Sequence, residues 1–505
     1  MGAIMADLEA RLNSRQKAFM QVPDIAEVKK RRGEHEEELR KSRRYDLASK
    51  RRNLIPLPDS DLLDLSSIQR MLAEGAEPLQ AASGLRKLLS IKIDPPIQQV
   101  IDAGLLPQLM AWLQRSDSPA LQYEACWALT NIASGSHGNA EALVLRGVVP
   151  LIYALLESSD ADVREQAAWL TGNITGDSAQ LRDVILQTSG LGRLLKVMGD
   201  SPRPSLAKVT IWAVSNLCRG KPAPEYAVVR LALPYLSAMI LGLEDKDVLK
   251  DCLWAISKMC EGEESRIQDL METGLLPRLV VLAGSEHMRV QHPALRCIGN
   301  VAAGSETQTE KLVAAGVLNI LANLLKSPKP VIRKEAAWIS SNISVGPTTH
   351  IQTLLLSPLF PTLLSLLPTE SPEVQTEILY ALTNTALSEL SAAPLFLLQQ
   401  GTIAVAKQVL DTSPSPKVLQ STLELVKALL AAGKQYFLEG VEGRNKVCEE
   451  MEKAGLLAKL EELQKHPNEV IYRKAVWILE HYFETEEQSD LLISSILAVP
   501  LEFQM

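Results

Sequence analysis

The stretch WALTN at residues 127–131 decides the fold, because its pairing of an aromatic residue with an asparagine four positions later returns at a nearly constant interval. The pairing recurs at Trp169/Asn173, Trp212/Asn216 and Trp338/Asn342, with looser copies that begin at positions 254, 296 and 380. Successive copies are separated by 42, 43, 42, 42, 42 and 42 residues. A spacing of four places both side chains on one face of a helix. The sequence therefore predicts a helical solenoid that presents a ladder of aromatic and amide side chains.

Each copy of the repeat has three parts. A turn that contains glycine opens a helix, as in AGLLP at residues 103–107, and a connector rich in Ser, Asp and Pro follows, as at residues 116–119. The helix with the ladder pair comes last and usually ends at a glycine, which we expect to cap it in the left-handed conformation. These glycines are Gly135, Gly176, Gly220, Gly262, Gly304 and Gly346. Three helices per 42 residues predict an all-α, right-handed superhelical solenoid of about ten armadillo repeats.

The net charge of −8 hides an asymmetry along the chain. Residues 1–54 contain 14 Lys and Arg against 9 Asp and Glu, so this segment has a net charge of +5 and the remainder −13. The basic segment has too few apolar residues for its own core, and we expect it to be flexible or loosely helical until it is bound. The predicted organisation is a basic arm at 1–54, a linker at 55–76, a solenoid at 77–487 and a tail at 488–505.

Several functional classes are disfavoured by the composition. The six cysteines show no C-x-x-C spacing, and those inside the repeated helices are predicted to be buried thiols. No signal peptide and no run of about 18 apolar residues is found, which argues against a secreted or membrane-spanning protein. Metal-ligand histidine spacings, phosphate-binding glycine loops and nucleophile motifs are also missing, so we expect neither an enzyme nor a cofactor. Acidic residues interrupt the basic arm and no aromatics alternate with its bases, which disfavours direct binding of nucleic acid.

The ladder has two possible roles. A tryptophan at helical spacing is more often part of a core, but a buried amide without a partner costs about 1–3 kcal/mol. Repetition of asparagine on one face therefore predicts a bound peptide strand, whose N–H and C=O groups an amide can both satisfy. Neighbouring indoles would form slots for Lys or Arg stems, each cation–π contact adding about 0.5–2 kcal/mol. Acidic residues near the ladder fit such a basic guest, the alternative being that they are merely solvated; they are Asp177, Asp251, Glu335 and Glu377, with Gln166 in the matching position before Trp169.

These motifs resemble the importin alpha family, whose members are adaptors that recognise nuclear localisation signals. The similar segments are residues 127–135 (WALTNIASG), 165–177 (EQAAWLTGNITGD), 212–224 (WAVSNLCRGKPAP), 293–304 (PALRCIGNVAAG) and 334–342 (KEAAWISSN). Residues 452–483 resemble the last repeat of the family, and the basic arm resembles its importin-beta-binding domain. The resemblance extends from about residue 24 to residue 490.

The resemblance implies two peptide sites. The major site maps onto Trp127, Asn131, Gly135, Gln166, Trp169, Asn173, Asp177, Trp212, Asn216, Asp251 and Trp254. The minor site maps onto Arg296, Asn300, Thr309, Glu335, Trp338, Asn342, Glu377, Tyr380 and Asn384. Two departures from the family pattern are Tyr380, which replaces a tryptophan, and Lys258, which stands where an aromatic is usual.

The resemblance also implies partners and location. The basic arm would bind importin beta and would otherwise fold back to autoinhibit the major site, through Arg31, Arg32, Arg43, Arg44, Lys50, Arg51 and Arg52. An export receptor of the CAS type would bind the C-terminal repeats, and the protein would shuttle between cytoplasm and nucleus without contacting membrane or nucleic acid directly. An armadillo scaffold for adhesion or signalling complexes is the alternative that the sequence leaves open.

Overall fold

In a computed structural model of the chain, the described residues form helices that belong to two compact units, which divide after residue 236. The structure describes residues 63–75, 77–91, 94–200, 203–436 and 445–483, and every regular element within these ranges is helical. The predicted basic arm at 1–54 and the tail at 488–505 lie outside the described residues.

The first unit repeats a group of three helices, of which the third carries the ladder pair. The boundary between the units falls inside the helix Leu233–Gly242. The helices before that element are Leu65–Ala73, Pro78–Leu89, Ile97–Asp102, Leu106–Leu113, Pro119–Ala133, His137–Leu145, Val148–Leu156, Ala161–Thr175, Ala179–Gln187, Gly190–Asp200, Pro204–Leu217 and Tyr226–Val229, followed by the 3₁₀ turn Arg230–Ala232.

The second unit continues the same three-helix pattern. Its helices are Lys246–Met259, Glu264–Glu272, Leu276–Ala283, Met288–Ala302, Glu306–Ala314, Leu318–Leu324, Pro330–Ile343, Thr348–Leu356, Leu359–Leu366, Pro372–Ala386, Ala392–Gln399, Thr402–Thr412, Pro416–Tyr436, Lys446–Lys453, Leu456–Leu463 and Glu469–Tyr482. In both units the third helices of successive repeats pack against one another and bury mainly Leu, Ile, Val and Ala. The total number of repeats stays a prediction.

Residues 65–73 correct the predicted linker, because they form a helix that packs on the first repeat. Asp64 caps this helix by accepting a hydrogen bond from the Ser67 amide at 2.6 Å. Ile68 is fully buried, and its side chain lies close to Gly84 of the next helix. The composition before residue 64 is rich in Pro and Asp and predicted a linker. The burial of Ile68, the single buried residue of this helix, was therefore missed.

Hydrogen bonds from most of the ladder asparagines join their third helix to the one before it. In the first unit, Nδ2 of Asn173 donates to the Thr130 carbonyl at 2.8 Å, and Nδ2 of Asn216 to the Gly172 carbonyl at 2.9 Å. In the second unit, Asn300 donates to the Ser257 carbonyl at 2.8 Å. The expectation that these amides need a partner outside the fold was therefore wrong, because the preceding repeat supplies one.

Most of the glycines that end the ladder helices leave room for a neighbouring side chain and do not adopt the left-handed backbone conformation. Gly220 and Gly262 have positive φ as expected, but Gly135, Gly176, Gly304 and Gly346 do not. At Gly304 a Cβ atom would lie 2.2 Å from Oε1 of Gln308, whose side chain folds back to cap the next helix. Left-handed glycines occur instead in the turn before the second helix of a repeat, as at Gly104 with φ 71°.

A glycine on one ladder helix admits the tryptophan of the next repeat. A Cβ atom at Gly172 would lie 2.1 Å from the Trp212 ring, and one at Gly299 would lie 2.2 Å from the Trp338 ring. Both glycines directly precede a ladder asparagine. The packing of the tryptophan ring and the hydrogen bond of the ladder asparagine therefore depend on the same close approach between adjacent repeats.

Gly172→Ala is predicted to destabilise the first unit by about 1–3 kcal/mol, because the new methyl group collides with a rigid indole. Gly192→Ala is the matched control, since a Cβ there meets nothing within 4 Å. The control is predicted to be neutral or to stabilise by up to about 1 kcal/mol. Urea unfolding followed by tryptophan fluorescence measures both, and equal midpoints for the two variants would refute the proposed collision.

No single helix within the described ranges is long and apolar enough to cross a bilayer, although the bent pair His137–Leu145 and Val148–Leu156 meets the length and composition requirement.

Candidate peptide-binding site

Trp127, the first aromatic of the ladder, is covered by the protein's own side chains. Its relative exposure is 5%, Tyr123 packs edge-on at 5.7 Å, and Cζ of Arg86 lies 4.7 Å from the ring centroid. Nε of Arg86 is also 2.7 Å from a Glu124 carboxylate oxygen. An internal guanidinium thus makes the cation–π contact that was predicted for a bound peptide at this position.

Trp169 and Trp212 are both partly exposed and contact each other. Their ring centroids are 6.2 Å apart and the planes are inclined by 58°. A methylene stem between two parallel faces needs about 7 Å, which is two contacts of about 3.5 Å. The predicted open slot between these indoles is therefore absent here, because Gly172 allows Trp212 to settle against the preceding helix. A peptide side chain would lie across the exposed edges of the rings or would push them apart.

The amides of the first unit are almost enclosed. Asn131 donates to Oγ of Ser90 at 2.9 Å, and Asn173 is 1% exposed. Gln166 is wholly buried and donates from Nε2 to Oγ1 of Thr130 at 2.8 Å, while its Oε1 accepts no hydrogen bond. Gln166 therefore does not share the partial exposure of Trp169, one turn further along its helix.

Asp177 lies against His137 at the C-terminal end of the second ladder helix. Nδ1 of His137 contacts Oδ2 of Asp177, and the two side chains are 57% and 4% exposed. His137 follows shortly after Gly135. The two predicted site residues Gly135 and Asp177 therefore both lie next to the start of the helix His137–Leu145. The alternative that this carboxylate is merely solvated was wrong, since it is nearly buried and has a basic partner.

Asp251 and Trp254 belong to the second unit, where each also has an internal partner. Asp251 is 3.3 Å from Nζ of Lys250, and the imidazole of His292 packs edge-on against Trp254 at 5.2 Å. Nζ of Lys258 is 3.2 Å from a Glu261 carboxylate oxygen. That ion pair offsets the positive charge that Lys258 adds to the ladder.

Arg296, Glu335 and Trp338 repeat the arrangement of Arg86, Glu124 and Trp127. Nη1 of Arg296 is 3.2 Å from Oε2 of Glu335, its Cζ lies 5.0 Å from the Trp338 ring centroid, and both charged residues are buried. Each unit thus contains one Arg–Glu–Trp cluster. Glu335 is therefore not merely solvated, so that alternative was wrong for it, and its role toward a basic guest stays a prediction.

The remaining minor-site residues surround the last ladder positions. Oγ of Ser341 donates to Glu377 at 3.4 Å, and Asn384 donates to the Ser341 carbonyl at 3.0 Å. Burial and the neighbouring Glu377 raise the pKa of Tyr380 to about 12, against a hydrogen bond with Ser421 that lowers it. The Tyr380 hydroxyl is therefore a neutral donor across the physiological range.

Two other predicted residues depart from the pattern of their neighbours. Oγ1 of Thr309 donates to the Ser305 carbonyl at 3.1 Å and is buried. Asn342 is the exception among the ladder amides, because its Nδ2 is buried without a hydrogen-bond partner. A bound acceptor at Asn342 would recover the free energy of that unpaired donor.

Sequence reasoning missed the internal bases that lie on the ladder. Arg86 and Glu124 precede Trp127 by 41 and three residues, and Arg296 and Glu335 precede Trp338 by 42 and three residues. This shared spacing was the signal that could have predicted both clusters. His137 had no such signal, because its contact depends on how two turns of adjacent repeats meet.

Comparisons with known proteins agree with this geometry. The armadillo/beta-catenin-like repeat family matches residues 94–134, 265–303 and 305–345, the atypical Arm repeat matches 445–495, and a HEAT-like repeat matches 119–174. The crystal structure of an engineered protein superposes with a TM-score of 0.73 at 26% identity, over 83% of this chain and 98% of that one. The predicted all-α armadillo fold is confirmed.

Curated relatives carry the same family name as the predicted resemblance. Importin subunit alpha-2 of Arabidopsis thaliana is 39% identical over 261 residues, 48% of this chain and 49% of that protein. Importin subunit alpha-1b of Oryza sativa subsp. japonica is 46% identical over 178 residues, 35% of this chain and 33% of that protein. The chain has an armadillo-repeat fold and is similar to importin alpha subunits. The chain spans at most about half the length of these importin alpha relatives.

Arg296→Met is predicted to destabilise the second unit by about 3 kcal/mol, because it leaves the buried Glu335 without its cationic partner. Adding Glu335→Gln should recover most of that loss, since the double variant removes the unpaired charge. Arg473→Met is the control, because Arg473 pairs with Glu469 on the exposed surface. Chemical unfolding of the four proteins checks this. If the double variant loses more free energy of unfolding than Arg296→Met alone, the ion pair between Arg296 and Glu335 would be contradicted.

Proposed function

We propose that this chain is a non-enzymatic nuclear import adaptor that binds Lys/Arg-rich nuclear localisation signals along its ladder. The observation that carries the proposal is the repeated pairing of a partly used amide with an aromatic ring and a nearby buried carboxylate. Similarity to importin alpha subunits over about half their length supports it.

The ladder amides support binding of an extended main chain. Nδ2 of Asn173 donates one hydrogen bond to the Thr130 carbonyl, whereas its Oδ1 accepts no hydrogen bond within the described residues. In the second unit, Nδ2 of Asn300 donates to the Ser257 carbonyl and also to the Cys260 sulfur. Because these amides are 1% and 6% exposed, a guest must lie directly on the helices to reach them. A strand does so more readily than a helix, since its N–H and C=O groups are unpaired.

The carboxylates support a basic guest. Asp177, Asp251 and Glu335 are all nearly buried, so a charge brought to them is poorly screened. Each already contacts an internal base, which supports the proposal that these positions suit a cationic guest. A peptide lysine or arginine would share or replace that base.

The basic arm supplies the proposed link to transport. Its clusters Lys50–Arg52, Arg43–Arg44 and Arg31–Arg32 would bind importin beta and would compete with cargo for the ladder when importin beta is absent. Export through a CAS-type receptor and shuttling between cytoplasm and nucleus follow from the same proposal. A scaffold for adhesion or signalling complexes would need neither the arm nor its competition with cargo.

The test is fluorescence-anisotropy titration of a Lys-Lys-Lys-Arg-Lys peptide against the chain with and without residues 1–54. Removing the arm is predicted to raise affinity, because a competing basic segment is lost. In the shortened chain, Trp169→Ala is predicted to weaken binding about tenfold, as loss of a cation–π contact with its stem packing implies. Asp177→Asn is predicted to weaken it further in combination.

The matched control is Trp477→Ala, because Trp477 stacks on His481 and Lys427 in the last repeat and is not part of the ladder. It should bind the peptide like the parent chain. An absence of binding after the arm is removed, or equal affinities for the two tryptophan variants, would reject the proposal. Failure of the isolated arm to bind importin beta in a pull-down would favour the scaffold alternative.

A further inference from the structure

The surroundings of Trp477 in the last repeat reverse the charge pattern of the two Arg–Glu–Trp clusters. In each of those clusters, the carboxylate lies three residues before the tryptophan and pairs with an arginine of the preceding third helix. In the last repeat, Lys474 lies three residues before Trp477 and pairs with Glu424 of the helix Pro416–Tyr436. The positive and negative charges have therefore exchanged places. The Lys474 and Glu424 side chains are 32% and 42% exposed, so a ligand can reach the pair.

A second base, Lys427, lies on the Trp477 ring. Its Nζ atom is 4.3 Å from the ring centroid. Among the described residues, Lys427 pairs with no carboxylate, and it is only partly exposed. An ammonium group has three hydrogens to donate, and contact with one ring face leaves others unused. Lys427 is therefore a cation that retains the capacity to bind an anionic group.

His481 lies four residues after Trp477, at the spacing that asparagine has in the ladder. The imidazole stacks on the indole with ring centroids 4.0 Å apart, and Nδ1 is 2.8 Å from the Trp477 carbonyl oxygen. Because a carbonyl oxygen only accepts, Nδ1 carries the hydrogen, and Nε2 of the neutral ring is left as an acceptor. Asn173 likewise donates to a helix carbonyl and keeps its oxygen as an acceptor. His481 can thus accept from a main-chain N–H of an extended peptide.

The net charge of the last two third helices also differs from that of the ladder helices near the start of the chain. The helices Pro416–Tyr436 and Glu469–Tyr482 together contain five Lys and Arg against three Glu, a net charge of +2. The helices Pro119–Ala133 and Ala161–Thr175 together contain one Arg against three Asp and Glu, a net charge of −2. A ligand that suits one pair of helices is therefore repelled by the other.

These three observations concern one face of the last repeat. We propose that Lys427, Lys474 and His481 form a binding site for an acidic, extended peptide segment. A carboxylate of the ligand binds the Lys427 ammonium, and a main-chain N–H of the ligand donates to His481. A peptide lysine or arginine would instead approach a like charge that has no carboxylate partner. This site is separate from the ladder and selects the opposite charge.

An acidic segment can come from two sources. Residues 484–490 of this chain contain four Asp and Glu and begin two residues after Tyr482, the last residue of the helix that carries Trp477; they lie outside the described residues. A separate protein with an acidic segment is the other source. Both present the same chemistry to the site, so the experiment includes variants that distinguish them.

The experiment titrates a fluorescently labelled Glu-Glu-Asp-Glu-Glu peptide with the full-length chain and measures its anisotropy. Lys427→Gln is predicted to weaken binding about tenfold, which is the loss expected for a hydrogen bond between charged groups. Lys465→Gln is the matched control, because Lys465 is an exposed base in a turn of the same repeat. Both variants remove one positive charge, so contacts of the peptide with the basic arm affect them equally. Equal affinities of the two variants would overturn the proposal.

Glu424→Gln supplies a gain of binding that a folding defect cannot imitate. Removal of this carboxylate frees the Lys474 ammonium for the ligand, so the acidic peptide is predicted to bind about threefold more tightly, as expected for a partly exposed ion pair. Glu462→Gln is the control, because it removes a carboxylate partner of Lys459 in the same repeat and should leave the affinity unchanged. Equal affinities of Glu424→Gln and Glu462→Gln would contradict the assignment of Lys474 to the site.

Neutralising residues 484–490 identifies the source of the acidic segment. The variant combines Glu484→Gln, Glu486→Gln, Glu487→Gln and Asp490→Asn. If this segment occupies the site, the neutralised chain binds the labelled peptide more tightly than the parent chain, and Lys427→Gln abolishes that gain. If a separate protein supplies the segment, the neutralised and parent chains bind equally and Lys427→Gln weakens both. The absence of a Lys427→Gln effect in both backgrounds rejects the site.

The two peptides separate this proposal from the proposed function. The Lys-Lys-Lys-Arg-Lys peptide reports on the ladder, and the Glu-Glu-Asp-Glu-Glu peptide reports on the last repeat. If Trp169→Ala weakens the basic peptide while Lys427→Gln leaves the acidic peptide unaffected, the adaptor function stands and the acidic-peptide site is refuted. The opposite pair of results would refute the ladder as a peptide site and support the site at Lys427.

Discussion

Four ladder asparagines, Asn173, Asn216, Asn300 and Asn384, each donate a hydrogen bond to a carbonyl of the preceding ladder helix, and the rest of the site depends on this constraint. It fixes how far one repeat advances on the last, and it does so on the face where the aromatic residues stand. A nearly buried amide that bonds a helix carbonyl contributes about 1 kcal/mol, but leaving either group unpaired would cost more. An amide such as that of Asn173 therefore specifies the stacking of repeats and retains its oxygen as an acceptor for a guest, whereas the oxygen of Asn216 already accepts a hydrogen bond from Arg219.

Internal bases are the second organising feature. Arg86 lies on Trp127, Arg296 lies on Trp338, and His137 lies against Asp177. These contacts satisfy rings and carboxylates that would otherwise be exposed apolar surface or buried unpaired charge. They also set a threshold for any ligand, because a basic peptide gains only the difference between its own contacts and those it replaces. If the proposed function is correct, selectivity for closely spaced Lys and Arg is expected, since single contacts would not exceed that threshold.

Periodicity predicted the helices, the three-helix repeat and the burial of the cysteines, because these depend on spacing within one repeat. Contacts between repeats were harder to predict. The helix at 65–73 depends on Ile68 reaching Gly84, and the tilt of Trp212 depends on Gly172, which are features of packing rather than of pattern. Of the glycines that we interpreted as left-handed caps, Gly220 and Gly262 have positive φ, whereas Gly135 and Gly304 leave room for the capping side chains of the next helix. The role of these residue types as a peptide site stays a prediction, and their internal partners were not predicted.

The most direct measurement is a crystal structure of the chain with a Lys/Arg-rich peptide. The account predicts an extended peptide whose main-chain N–H groups donate to the side-chain oxygens of Asn131 and Asn173, with basic side chains on Trp169 and near Asp177. It also predicts that the bonds from those asparagines to the preceding repeat persist in the complex. A peptide bound on another face, or one that leaves the ladder asparagines without contact, would contradict the account.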